Sequence, residues 1–531
     1  MTTGTSYPGV YVTEIPSGSR TISGVATSIT AFVGRTVRGP VNQPVRLTTF
    51  AGYQTAFGGV AGSTVGTAVR DFFGNGGGQA VVVRVAPSGT DPATAARLTR
   101  ATGTPKAAKA AAGKPAADLT LVAAEPGSWA NGLIAEIGYD TGADLADVAH
   151  RLGSTTGELF NLVVTDTLTG ERETIRNVTA TDSARRIDQV LEAESRLVRV
   201  PDGGLPAARP AETSATSRLV VADADRGVDG RDLTADDYVA PALQGPHQGL
   251  YALDQIDLFN LLCLPPPVTG GDTPPAVYQA ALSYCVRRRA VLIVDAPAAM
   301  TVGTVTTDLQ SLGLTGPDSR NAALYFPRLV RADPAAGGRL AAFPASGAVA
   351  GVIARTDATR GVWKAPAGLD AALSGVVDLA TGLTNDENGL LNPLAVNCLR
   401  TFPIAGPVIW GARTMRGADQ LGDEYKYLPV RRLALFIEET LFRGTQWVVF
   451  EPNDEPLWAQ IRLSLGAFLQ DLFRQGAFQG VTARDAYFVK CDAETTTAQD
   501  VANGRVNIVV GFAPVRPAEF VILQIQQIAQ A

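Results

Sequence analysis

The chain has 531 residues, 46% apolar and 18% charged, with a formal net charge of −6. That length predicts two to four domains with sizeable cores, and the weak negative balance excludes the concentrated basic face of a nucleic-acid binder. No run of about 18 apolar residues is present to span a membrane, the Met1-Thr2-Thr3-Gly4 start gives no secretion signal, and the well-separated Cys263, Cys285, Cys398 and Cys491 predict free thiols in a reducing compartment, with no disulfide framework.

Residues 1–20 read as an extended arm. Val10-Tyr11-Val12-Thr13 has strand propensity, and Pro8 and Pro16 close it at both ends. A lone strand this short is unstable in water, so it is expected to add to a sheet of its own chain or of a neighbour. Ser28–Gly34 is a buried strand, and Val65, Ala68, Val69, Phe72 and Phe73 are spaced as one helix face. Gly74–Gly78 stops that helix before a strand over Ala80–Val85.

Residues 86–118 are low in complexity and predict a linker or loop. A compact β-rich insertion follows over about 119–200. It has strands at Leu159–Val164, Glu173–Ile175 and Arg196–Val200 and a helix over Ala184–Leu191, and a Gly- and Pro-rich stretch closes it at 201–246. The α/β alternation then resumes. Gln255–Leu262, Ala290–Asp295 and Ala322–Pro327 read as strands, with a helix at Ala276–Arg288. Near-continuous apolar strands of this kind belong to a parallel sheet covered on both faces.

A terminal domain is expected from about 369. Asn385–Gly389 reads as a turn and Trp447–Phe450 as a strand. Pro429 opens a helix with Val430, Leu433, Ala434, Ile437 and Leu441 on one stripe. Asn453 or Asp454 caps a long helix over 455–475, about 30 Å in length. Two strand-like runs, Val506–Val510 and Phe520–Ile525, end the chain, separated by Pro514 and Pro517. The boundaries predicted are an arm at 1–20, a discontinuous α/β middle domain at 21–90 with 247–368, a β-rich outer insertion at 91–246, an α+β inner domain at 369–504 and a C-terminal arm at 505–531.

Catalytic signatures are missing. No Ser has Gly at both −2 and +2, so the hydrolase nucleophile elbow is absent. Gly74–Gly78 follows a helix and precedes a strand, the reverse of what phosphate binding at a helix N-terminus requires. His150 and His247 are the only histidines, and neither sits in a metal-binding spacing. Asp223, Asp225 and Asp229 lack the glycine and the closing Glu of a calcium loop and read as a solvated acidic loop. Trp129, Trp410, Trp447 and Trp458 read as core anchors. No catalytic, cofactor or metal residue is assigned.

Both ends of the chain carry longer motifs. Near the start stand Tyr7-Pro8-Gly9-Val10-Tyr11-Val12-Thr13-Glu14-Ile15-Pro16, Ala31-Phe32-Val33-Gly34 and Arg38-Gly39-Pro40. In the last third stand Asn397–Pro403, Ile409-Trp410-Gly411-Ala412-Arg413-Thr414, Val430-Arg431-Arg432-Leu433, Gly444–Asn453 and Gly511–Phe520. Together they resemble the contractile tail sheath proteins of phages, R-type pyocins and phage-tail-like injection systems.

The resemblance implies a non-enzymatic structural subunit without cofactors. It implies a helical homopolymer in hexameric rings around an inner tail tube protein, with baseplate and tail-terminator proteins at its ends, and neither nucleic acid nor inserted membrane as partner. Assembly is expected in the bacterial cytoplasm, within a particle released by lysis. The alternative is a non-contractile structural component of such a particle. The family's arms reach neighbouring subunits, which marks Tyr7, Val10, Tyr11, Val12 and Ile15, and Val506, Ile508, Val510, Phe520 and Ile522, as inter-subunit residues. Its terminal domain lies against the tube, which makes Arg462, Gln470 and Arg474 on the long helix tube-facing candidates.

Overall fold

The computed structural model describes residues 21–101, 118–139 and 144–522. Its centre is an eight-stranded sheet. The parallel strands Thr30–Gly34, Ala80–Arg84, Leu261–Cys263, Val291–Asp295, Ala322–Phe326 and Val396–Phe402 are flanked by antiparallel Pro44–Leu47 at one edge and Gly406–Ile409 at the other. In register, Thr30 faces Ala80 on one side and Leu261 on the other.

These strands are apolar at nearly every position because helices cover both faces. Ala31, Val33, Val81, Val83, Leu262, Leu292, Val294 and Leu324 point into one core, against the Pro275–Arg287 and Val305–Leu312 helices. Phe32, Ala80, Val82, Leu261, Cys263, Ile293, Ala323 and Tyr325 point into the other, against Phe50–Phe57, Thr64–Gly74 and Ser346–Arg360. On that second face two helices meet at van der Waals distance. A Cβ at Gly347 would lie 2.2 Å from the Ala68 carbonyl oxygen. The fold class is therefore multidomain α/β with mixed sheets, as the sequence predicts.

Inserted between Ala80–Arg84 and Leu261–Cys263 is a seven-stranded antiparallel sheet with its own core, built on Leu98, Leu121, Ile137, Phe160, Leu162, Val164 and Leu191. The stretch expected to be a linker contributes a strand to it, Arg97–Arg100, while residues 102–117 lie outside the described residues. Buried Arg84 ties the two sheets together, donating to the Gly39 carbonyl at 2.8 Å and the Pro126 carbonyl at 2.6 Å. Asp229, expected to be solvated, instead accepts from the Ser128 amide (3.0 Å) and hydroxyl (2.6 Å) at the same junction.

Several local expectations differ from the structure: the strand expected at Gln255–Leu262 pairs in the sheet only as Leu261–Cys263, and the described residues 520–522 of the expected final strand form none. Asn385–Leu391 is a helix and not a turn, because Thr384 and Glu387 form a reciprocal capping box. Trp447–Phe450 is not a strand: Gln446–Val448 is a single 3-10 turn, with Phe450 fully exposed beyond it. Residues 396–409 complete the large sheet, although the inner domain was expected to begin at 369. Hydrogen-bond pairing with Ala322–Phe326 holds them there.

Candidate subunit-joining surface

The terminal region of the chain is built on two helices. Leu428–Gly444 has Pro429 in its first turn, where a missing N–H is tolerated. One stripe of it, with Leu433 and Ile437, packs on the second helix. Another carries charged groups that reach back to the central domain. Arg432 makes a bidentate pair with Asp357 (2.7 and 2.6 Å), both about 4% exposed or less. Arg431 donates to Asn321 Oδ1 at 3.0 Å, Glu439 accepts from Arg289 at 2.9 Å, and Arg443 grips Asp257 at 2.7 and 3.0 Å. Paired, hydrogen-bonded charges of this kind fix orientation, and removing one partner strands the other.

The second helix, Glu455–Arg474, is capped by Asp454, whose carboxylate accepts from the Leu457 amide. It supports a two-stranded antiparallel hairpin of Tyr487–Lys490 and Val509–Phe512. Tyr487, Val489, Val510 and Phe512 face the helix. Phe488 and Val509 face outward, and Gly511 leaves room for the Phe488 ring, since a Cβ there would meet it at 2.2 Å. Each strand has one partner among the described residues, so each presents a free edge. Two strands alone are marginal in water, and a free edge is a template for a further strand.

The expected arm residues divide. Tyr7, Val10, Tyr11, Val12 and Ile15 lie outside the described residues. Val506 and Ile508 pack against the core of Leu457, Trp458, Ile461 and Leu465, and Val510 belongs to the hairpin itself. Phe520 and Ile522 are 72% and 83% exposed. The helix positions also divide. Arg462 donates to the Cys491 carbonyl and pairs with Glu455 at 2.6 Å, and Gln470 accepts from the Tyr487 hydroxyl at 2.7 Å. Both are thus occupied in holding local structure. Arg474 is 72% exposed, with Asp471 3.8 Å away.

The residue that anchors the stretch around Glu519 carries no local sequence signal. Arg413, from the Gly411-Ala412-Arg413-Thr414 motif, is fully buried. It binds Glu519 in bidentate fashion, at 2.7 and 2.6 Å, and also donates to the Asn392 carbonyl (2.8 Å) and Asp419 (3.0 Å). Glu519 accepts further bonds from Asn392 Nδ2 (3.1 Å) and the Tyr427 hydroxyl (3.2 Å). Burial works to raise the Glu519 carboxyl, but the bonds from Arg413 and Asn392 and the guanidinium charge outweigh it and hold it below its usual range. The ion pair joins motifs 106 positions apart, so no local pattern could reveal it.

This anchored tail forms one wall of a cleft of about 820 Å³, with Trp363, Phe402, Trp410 and Tyr427 around it. Trp410 therefore lines a cleft and is not a core anchor, whereas Trp129 and Trp458 are buried. Burial, and then the nearby Arg360 charge, lower the Lys364 ammonium below its ordinary value.

Comparison with known proteins agrees with this architecture. Residues 232–415 match the phage tail sheath protein central domain, and residues 421–528 the phage tail sheath C-terminal domain. The tail sheath protein of Vibrio phage KVP40 is 28% identical over 130 residues, 24% of this chain and 19% of that protein. A prophage major tail sheath protein of Pseudomonas aeruginosa is 28% identical over 180 residues, 33% of this chain and 44% of that protein. The match thus spans less than half the length of either relative. The contracted PVC sheath complex of an extracellular contractile injection system shares the fold, with a TM-score of 0.57 at 22% identity over 99% of both chains. From its central sheet to its terminal hairpin, the chain belongs to the phage tail sheath family.

Proposed function

We propose that this chain is the structural subunit of a contractile sheath, polymerising helically around an inner tube and contracting to drive that tube through a target envelope. The observation that carries this is the terminal hairpin, a two-stranded sheet with a free edge on each strand. Terminal arms supplied by neighbouring copies would complete it, through Tyr7–Ile15 at one end of the chain and the segment from Phe520 onward at the other. Such contacts join different surfaces and repeat into an open helix. Baseplate and terminator proteins cap that helix, and the chain works without enzymatic activity or cofactor.

Contraction is a rearrangement of whole subunits toward tighter packing. The charge pairs between the Leu428–Gly444 helix and the central domain, Arg432 with Asp357 of the Ser346–Arg360 helix and Glu439 with Arg289, support motion as a rigid body. Arg474 is our tube-facing candidate, since Arg462 and Gln470 are engaged within the chain. Electron microscopy of the purified chain, with and without residues 1–16, tests the reading. Tubes or stacked rings that vanish on deletion are expected. Monomers in both preparations would overturn it.

A further inference from the structure

The first described residues run along the Leu428–Gly444 helix. The Thr27 carbonyl accepts from Arg432 at 2.9 Å, and the Thr27 hydroxyl donates to Asp357 at 2.6 Å. The Val25 amide donates to the Thr440 hydroxyl at 3.3 Å, and a Cβ at Gly24 would meet the Phe436 ring at 2.9 Å. Ile22 touches Gly444, where a Cβ would meet Ile22 Cγ2 at 2.8 Å. Traced back from Thr27, the polypeptide thus passes from Arg432 to Gly444, about 18 Å along the helix. Thr21 is exposed at the far end.

That end lies at the core on which the hairpin rests. Ile22 packs against two clusters, one with Ile437 and Phe468 and one with Leu457 and Ile461, and Val489 and Val510 of the hairpin pack against the same two. Pro16-Ser17-Gly18-Ser19-Arg20-Thr21 separates Ile22 from the strand-forming residues 10–15. Six residues extend to at most about 20 Å, and Gly- and Ser-rich chains of that length average roughly 14 Å end to end. A tether this short presents the arm to its own hairpin at an effective concentration on the order of millimolar. The other end of the chain starts from a different place, because Glu519 is held at Arg413.

We infer that in the free subunit residues 10–15 dock on a free edge of their own hairpin, and that joining a polymer exchanges this pairing for the same pairing with a neighbour. The inference rests on the reading of the arm as an exchanged strand and adds its regulation. A two-stranded sheet is marginal in water and an open edge recruits other strands, so self-docking steadies the hairpin and closes the edge before assembly. Exchange of an identical element between copies preserves every pairing and costs little at equilibrium. It requires the docked strand to leave first, which slows growth from free subunits.

The test uses the full chain, at dilutions where sedimentation shows a monomer, and a dye-labelled peptide of residues 5–17 as probe. Val12→Pro removes a ladder donor from the arm and leaves the described residues unchanged. Its hairpin edge should be open and bind the peptide, whereas the wild type, occupied by its own arm, should bind it about tenfold more weakly or worse. Hydrogen exchange should place the bound peptide's protection on Tyr487–Lys490 or Val509–Phe512, the same amides that lose protection in Val12→Pro alone. Equal binding by both chains would overturn self-docking and leave arm exchange standing. Refusal by both, with the wild type still forming tubes, would assign the edge to the segment after Phe520 and equally overturn it. Refusal by both, with no tubes, removes the sheath reading as well.

Discussion

Replacing Glu519 by Gln should unfasten the end of the chain. The substitution keeps the shape and one acceptor but removes the charge that faces Arg413. Arg413 has no exposed surface, so it cannot recover the loss from water. Asp419, at 3.0 Å but 46% exposed, and the Asn392 carbonyl compensate to a degree. Breaking a buried pair costs ~3–5 kcal/mol. Glu519 is 18% exposed and some contacts survive, so we expect about 2 kcal/mol, or about a 30-fold rise in the open population at tenfold per ~1.4 kcal/mol.

Phe520 is itself exposed, but a protease must bind several extended residues before the scissile bond, so chymotrypsin cleavage there requires the Glu519 anchor to release and reads that population when opening is fast relative to cutting. The variant should be cut about 30-fold faster. The wild type should show the same release on acidification. The folded Glu519 carboxyl lies below its unfolded value of about 4.3. Its contribution is therefore complete above that value and fades as pH falls through the lower folded one. Cleavage within twofold of wild type in Glu519→Gln, at neutral pH, would refute the anchor.

Asp357→Asn, which strands buried Arg432, should lower stability by ~3–5 kcal/mol in denaturant titrations, whereas Arg474→Ala on the exposed helix end should leave the midpoint unmoved. Gly347→Ala should cost ~1–3 kcal/mol by thermal melting, because the added methyl meets the Ala68 carbonyl at 2.2 Å and must push the two helices apart. A thiol reagent should label none of the four cysteines in the native chain and all four in denaturant. All four are buried, and burial raises each of their thiols above the ordinary range.

The central sheet was legible because its strands are buried on both faces, so burial itself wrote a continuous apolar run at Ala80–Val83 and Val291–Val294. The long helix was legible for a similar reason, since its apolar stripe has a core to face. Trp447–Phe450 misled because a β-branched and aromatic run signals burial without saying against what. Here its last residue points out of the subunit. Asn385–Gly389 misled because turn-forming residues also cap helices, and the Thr384–Glu387 reciprocity decides between the two. The Arg413–Glu519 pair, the domain limit beyond residue 396 and the cleft all depend on contacts between distant segments, which periodicity cannot carry.

The seven-stranded sheet enters and leaves the chain through a single clasp. Thr94 and Val228 exchange backbone hydrogen bonds at 2.9 and 3.2 Å, so the two crossing strands of polypeptide lie side by side. The described residues between them share a core of their own, and they meet the central domain through Val37, the Arg38–Glu171 pair at 2.7 Å and the Arg84–Pro126 bond. The outer layer is thus a socket. A foreign domain with neighbouring termini, grafted at this clasp, would decorate every subunit of a polymer in a regular array, provided it supplies buried Arg84 with an acceptor in place of the Pro126 carbonyl.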